Sequence, residues 1–116
     1  MQAETYVLVR QTAPAFAREQ EAEAFDVGIQ LMEEARRAPP KSAKVVEAAR
    51  HMQQLWSYLI KDLSHPTNEL STDLKANLIS IGLWVMKETD KILAGTSDNW
   101  AGLIDINRTV RKGLSS

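Results

Sequence analysis

The chain has 116 residues, 14 Lys or Arg against 15 Asp or Glu, a formal net charge of −1 and no cysteine. That length suits one domain, able to bury roughly 65% of its unfolded surface without a disulfide or structural metal. The missing cysteine excludes thiolate catalysis and cysteine-ligated zinc. The near-neutral charge argues against nonspecific nucleic-acid binding, which needs a basic face to displace counterions.

Residues 1–14 read as an N-terminal arm whose Tyr6-Val7-Leu8-Val9 is β-prone but has no obvious partner strand. Glu4 stands where the basic region of a signal peptide would be, and Arg10 cuts the apolar segment. A helical domain is expected over residues 15–116. At about 100° per residue, Ala22, Phe25, Ile29 and Met32 share one side of a first helix, flanked by Leu31 and Ala35. Glu23, Asp26, Glu33 and Glu34 fall opposite. Six acids and no base lie between Glu19 and Glu34, followed by Arg36 and Arg37. These end charges complement a helix dipole, and the acidic side is expected to be solvated rather than a docking surface.

A second helix is expected over about residues 41–63, where Val45, Ala49, Met52, Trp56, Leu59 and Leu63 repeat at alternating spacings of 4 and 3. This seam predicts that Trp56 is core, with Glu47, Arg50, Gln54, Tyr58 and Lys61 on the solvent side. His51 is expected on the polar side too. So short a heptad suits an intramolecular bundle better than a coiled coil.

The third helix should start at Ser71, Thr72 or Asp73, all competent N-caps, and stop at Gly95, a natural left-handed C-cap. Leu74, Leu78, Ile81, Val85 and Ile92 make its stripe. Ile79, Leu83, Trp84 and Met86 widen the apolar arc to roughly 260°, so the helix is either central or covered by something else. Most of these residues are expected in the core. Gly82 predicts a close helix crossing. A fourth, shorter helix should open at Ser97 or Asp98 and run to Gly113, with Trp100, Leu103, Ile104, Ile106, Val110 and Leu114 apolar. Asn107 interrupts that face, and its amide is expected to be satisfied within the fold, by tying down a neighbouring loop, rather than by a partner chain. The fold class that follows is all-α: a small single-domain bundle of about four helices with an N-terminal arm.

Chemistry is sparse. His51 and His65 fit no ligand-spaced pattern, and His65 reads as a turn residue. Asp62, Asp73 and Asp105 are placed at helix ends or polar faces, and there is no phosphate loop or nucleophile elbow. No catalytic residue, cofactor or metal ligand is nominated, and the chain is not expected to be an enzyme. The cluster Arg36, Arg37, Lys41, Lys44 and Arg50 lacks interleaved aromatics and reads as a helix connection. The longest apolar stretch, Ile79 to Met86, falls far short of the roughly 20 residues that cross a bilayer, so no membrane insertion is expected.

The second half carries an ordered string: Leu55-Trp56, Asp62-Leu63, Pro66 and Asn68, residues Leu74 to Val85, then Leu103-Ile104-Asp105-Ile106-Asn107-Arg108 and Gly113-Leu114. This resembles the FlaF family of bacterial flagellar biosynthesis proteins, closely over about residues 52–114. Gln53-Gln54 depart from the arginines the family often carries there. The resemblance implies a cytoplasmic, flagellin-specific factor, a regulator of flagellin synthesis and an export chaperone. Its implied partners are flagellin and the regulator FlbT. Flagellin ends are amphipathic helices, and a helical groove covers such faces before assembly. Any exposed remainder of the third-helix girdle is then the binding site. Trp84 is the first candidate and Leu83 the second; they lie toward opposite margins of the core stripe, so both are not expected to be exposed within one continuous groove. Asn107 and Arg108 are weaker candidates nominated by the family motif. The second reading is a post-transcriptional regulator acting on flagellin mRNA, directly or through FlbT. Direct nucleic-acid contact is disfavoured, because no basic aromatic surface is present.

Overall fold

A computed structural model describes the backbone of residues 14–114 and the side chains of residues 19–114. Among the described residues there are four helices and no strand: α1 (Pro14–Ala35), α2 (Ala43–Leu63), α3 (Thr72–Ala94) and α4 (Trp100–Gly113). Three long helices and one shorter one match the expected all-α bundle. The arm with Tyr6-Val7-Leu8-Val9 lies outside the described residues. Pro14, placed in that arm by the sequence, is the first residue of α1, where its missing N–H costs nothing.

The helix ends follow local chemistry. Ser71 caps α3 by accepting from the Leu74 N–H at 3.2 Å, and Gly95 ends it in the left-handed region at φ 82°. Helix α2 starts at Ala43, two residues later than the sequence suggests, because Lys41 adopts φ 63° and breaks the turn before Ser42. Helix α4 also starts later than expected. Its cap is Asn99, whose side chain accepts from the Gly102 N–H at 3.1 Å, while Ser97 is used otherwise: its hydroxyl accepts from the Asn99 N–H and donates to Glu88.

The centre of the bundle is α2, not α3. Helices α1 and α3 flank it, and α4 lies chiefly against α1 with only a slight contact to α3. Both flanking helices present a glycine to α2. A Cβ on Gly82 would stand 2.8 Å from Trp56 Cε3 and 2.9 Å from Ile60 Cδ1, which is the close crossing the sequence predicted. On α1, Gly28 leaves room for the Met52 methyl and the His51 ring. His51 is therefore not on a free polar side: its Nε2 lies 3.0 Å from the Ala24 carbonyl oxygen, across the α1–α2 crossing. Met52, Trp56, Phe25, Met32, Leu103 and Val85 fill the core, with the Phe25 ring edge-on to Trp56 at 5.8 Å. The seam residues of α2 are buried except Leu59, which is half-buried, and its five polar-side residues are exposed.

Asn107 is fully buried, as the interrupted face of α4 suggested, but it ties down no loop. Its side-chain oxygen accepts from the Trp56 indole N–H at 2.8 Å and its amide donates to the Leu103 carbonyl at 2.7 Å.

Candidate functional site

Helix α3 positions the candidate surface. It runs antiparallel to α2, since Gly82 meets Trp56 and Ile60 while Thr89 accepts from Gln53 at 3.1 Å. Gln53 also donates to Asp90 at 2.8 Å, a second link between α2 and α3. One side of α3 is thereby closed by Gly82, Val85, Thr89 and Ile92, all buried. The arc beyond that side has nothing left to pack on. Leu83 is 55% exposed and Trp84 38% exposed, while Ile79 and Met86 are half-buried.

The two girdle residues nominated as the exposed remainder, Trp84 and Leu83, are both exposed, but on separate flanks rather than within one continuous groove. The reason is that α3 flanks the bundle instead of passing through its middle. The two residues are consecutive and point about 100° apart, so each lies on its own flank of the helix. Leu83 continues the Ile79 and Met86 row at spacings of 4 and 3, and Trp84 follows Ile81 by three positions. Leu74, expected in the core stripe, needs correction. It points in the same direction as buried Ile92, yet it is 44% exposed. In the antiparallel register Leu74 lies level with residues beyond Leu63, past the end of α2, so the stripe overhangs its partner.

The two weaker candidates sit elsewhere. Asn107 is withdrawn from any surface by its burial and its bond to Trp56. Arg108 is exposed on α4 but engaged with Glu33 of α1 at 2.8 Å. One helical turn on, Arg111 forks onto Asp26 with bonds of 2.9 and 3.2 Å. The acidic side of α1 is thus partly a clamp for α4, rather than wholly solvated. The hydrogen bonds from Arg111 hold the Asp26 carboxyl below its ordinary range. Glu33 is lowered first by its bond from Arg36 and then by Arg108, and Glu34 by its bonds from Gln30 and Lys44.

Sequence reasoning also missed two buried carboxylates, Glu21 and Asp62. The sequence places Asp62 at a helix end or polar face, whereas it is buried. It accepts from the Asn68 amide at 3.3 Å, and Asn68 in turn accepts from the Leu70 N–H, so the Asp62, Pro66 and Asn68 string shapes the α2–α3 connection. Both carboxylates line a cavity of about 70 Å³ at that end of the bundle, with Leu63, Leu70, Leu78, Val110 and Leu114. No pattern in the sequence announces this cavity, because its walls come from all four helices. At the opposite end, a depression of about 630 Å³ between the α1–α2 and α3–α4 connections has Val45, Ile92 and Trp100 at its base and Arg36 and Asp98 among its lining.

Among the described residues, no group of three or more His, Asp or Glu side chains is arranged to hold a metal, and no helix is long and apolar enough to cross a membrane. What the surface offers is apolar contact on α3 and ion pairing on α4. No curated relative and no solved structure matches the chain. The family model described as flagellar protein FlaF matches residues 2–114 of the 116, nearly the whole chain. The matched residues include the buried Trp56–Asn107 pair and the Asp62–Asn68 turn, and the chain belongs to the FlaF family of flagellar proteins.

Proposed function

We propose that this protein is a cytoplasmic, flagellin-binding export chaperone that covers an amphipathic helix of unassembled flagellin along α3 and supports flagellin synthesis and secretion. One observation carries this reading: Trp84 and Leu83 are exposed on a helix whose opposite side is already packed against α2. An exposed large apolar side chain on a helix is what a helix-in-groove partner covers, and aromatic anchors carry disproportionate binding energy. Trp84 is the principal anchor and Leu83 the secondary one. Arg108 keeps its charge exposed beside Glu33 and is available at the rim only at the cost of that pair. FlbT is a second partner in this scheme, acting on synthesis while this chain holds the product.

The test compares the parent with Trp84→Ala and Leu83→Ala for melting and for affinity to purified flagellin. The expected result is unchanged melting with Trp84→Ala weakening binding more than tenfold, about 1.4 kcal/mol, and Leu83→Ala weakening it less. Unchanged affinity in both folded variants removes α3 from the site. Should the chain instead bind flagellin mRNA with a steep salt dependence, the regulator reading replaces this one.

A further inference from the structure

Helices α3 and α4 are consecutive and joined by the short connection 95–99, an arrangement in which antiparallel helices ordinarily pack side by side. Here they touch only slightly. Helix α4 is fastened instead to α1 by the Arg108–Glu33 and Arg111–Asp26 pairs, and to α2 by the Trp56–Asn107 bond. Two ties flank the run that α3 and α4 share. At one end Leu78 stands in the same cavity wall as Val110 and Leu114, and at the other the Ser97 hydroxyl donates to the buried Glu88 carboxylate at 2.5 Å.

Between those ties the two helices leave a groove. One turn inward from Leu78 and Val110, Ile81 and Ile106 come level, both half-buried and resting on the core. Gly102, one turn before Ile106, adds no side chain to the α4 wall. Trp84, three positions after Ile81, stands 38% exposed at the α3 edge. The floor is therefore apolar and one wall aromatic. The two edges differ in charge. On α3, Lys87 and Lys91 follow Trp84 by three and seven positions, with Lys91 3.9 Å from Glu88. On the α4 side, Asp105 is exposed next to Ile106 and Asp98 is exposed in the connection. Arg108 and Arg111 do not offset these acids, because both turn to α1.

We propose that the amphipathic helix of flagellin lies in this α3–α4 groove, its apolar stripe over Ile81, Trp84 and Ile106, with acidic residues bordering that stripe on the α3 side and basic residues on the α4 side. A helix seated on two helices buries its stripe against both, and edges of opposite charge fix its orientation. The placement rests on the flagellin-binding reading and adds to it which groove is used and which charges the bound segment carries. Leu83 lies on the other flank of α3, beyond the groove edge, which makes Trp84 the stronger anchor.

The chain has no cysteine, so single ones can be placed and labelled. Full-length Thr109→Cys, at the α4 edge, and Ala76→Cys, on the Leu83 flank of α3, replace residues that are both exposed. Each is coupled to a bulky maleimide, checked for unchanged melting, and titrated with purified flagellin beside its unlabelled form. The groove predicts that the label at position 109 weakens binding at least about tenfold and the label at position 76 no more than about twofold. The reverse pattern, equal losses, or unchanged affinity with both labels overturns the placement while flagellin binding itself stands. If the unlabelled chains do not bind flagellin, that reading fails and the placement falls with it. In the cysteine-free chain, Asp105→Lys and Lys91→Gln should each weaken binding about threefold at low salt, with the difference shrinking as salt rises. Unchanged or tighter binding in both variants overturns the charge pattern.

Discussion

The indole N–H of Trp56 donates to the side-chain oxygen of Asn107 at 2.8 Å, joining the central helix α2 to α4 inside the core. An indole is donor only, so this bond fixes which way the amide faces, and the amide nitrogen is left to donate to the Leu103 carbonyl at 2.7 Å. Two polar groups that would each be costly to bury alone satisfy one another. Removing one member strands the other: Asn107→Leu should lose about 1–3 kcal/mol by leaving the indole N–H unpaired. Trp56→Ala, which also empties a core site, should lose about 3–5 kcal/mol. Denaturant unfolding of the two single variants and the double variant should show non-additivity, because they remove one shared bond.

The two crossing glycines should differ. An added methyl at Gly82 meets the Trp56 ring and the Ile60 side chain, and the ring has no room to give. Gly82→Ala should be net destabilising, since overpacking of about 1–3 kcal/mol outweighs the gain in helix propensity of about 1 kcal/mol. Gly82→Val should be worse. Gly28→Ala meets the terminal methyl of Met52, which can swing aside, so its melting temperature should fall less.

Exposed apolar residues of α3 should be dispensable for folding. Leu83→Gln and Leu74→Gln should change stability by no more than about 0.5 kcal/mol, as for surface positions generally. A loss above about 2 kcal/mol in thermal melting would place these side chains in the core.

The ion pairs between α1 and its neighbours set an acid limit. Asp26, Glu33 and Glu34 all have carboxyls lowered from ordinary values of 3.8 for Asp and 4.5 for Glu. The native state then binds fewer protons than the unfolded chain in that range, so their contribution is complete above those values and is lost as pH falls through the lower, native ones. Melting temperature should be flat from neutral pH to about 5 and drop below about 4. Because the pairs are exposed, added salt should shrink the drop, and Arg111→Ala should reduce it at low ionic strength.

How far the sequence reaches is visible element by element. The 4-and-3 seam from Val45 to Leu63, the Ser71 cap and the Gly95 stop are local properties of neighbouring residues, and the helices they predict are present. Gly82 likewise announced a close approach, since a glycine within a helix is destabilising unless something presses against it. What lay beyond reach was which helix is surrounded. Helix α3 carries the broadest apolar arc, yet α2 is central, because order in space depends on how α1 and α3 each dock a glycine on α2. From that choice follow the exposure of Leu83 and Trp84, the overhang of Leu74, and the burial of Asn107 against a tryptophan 51 residues away. The cavity that Glu21 and Asp62 share with α3 and α4 is of the same kind. Periodicity states which side of a helix is apolar, and only tertiary packing decides which apolar side finds a partner within the chain.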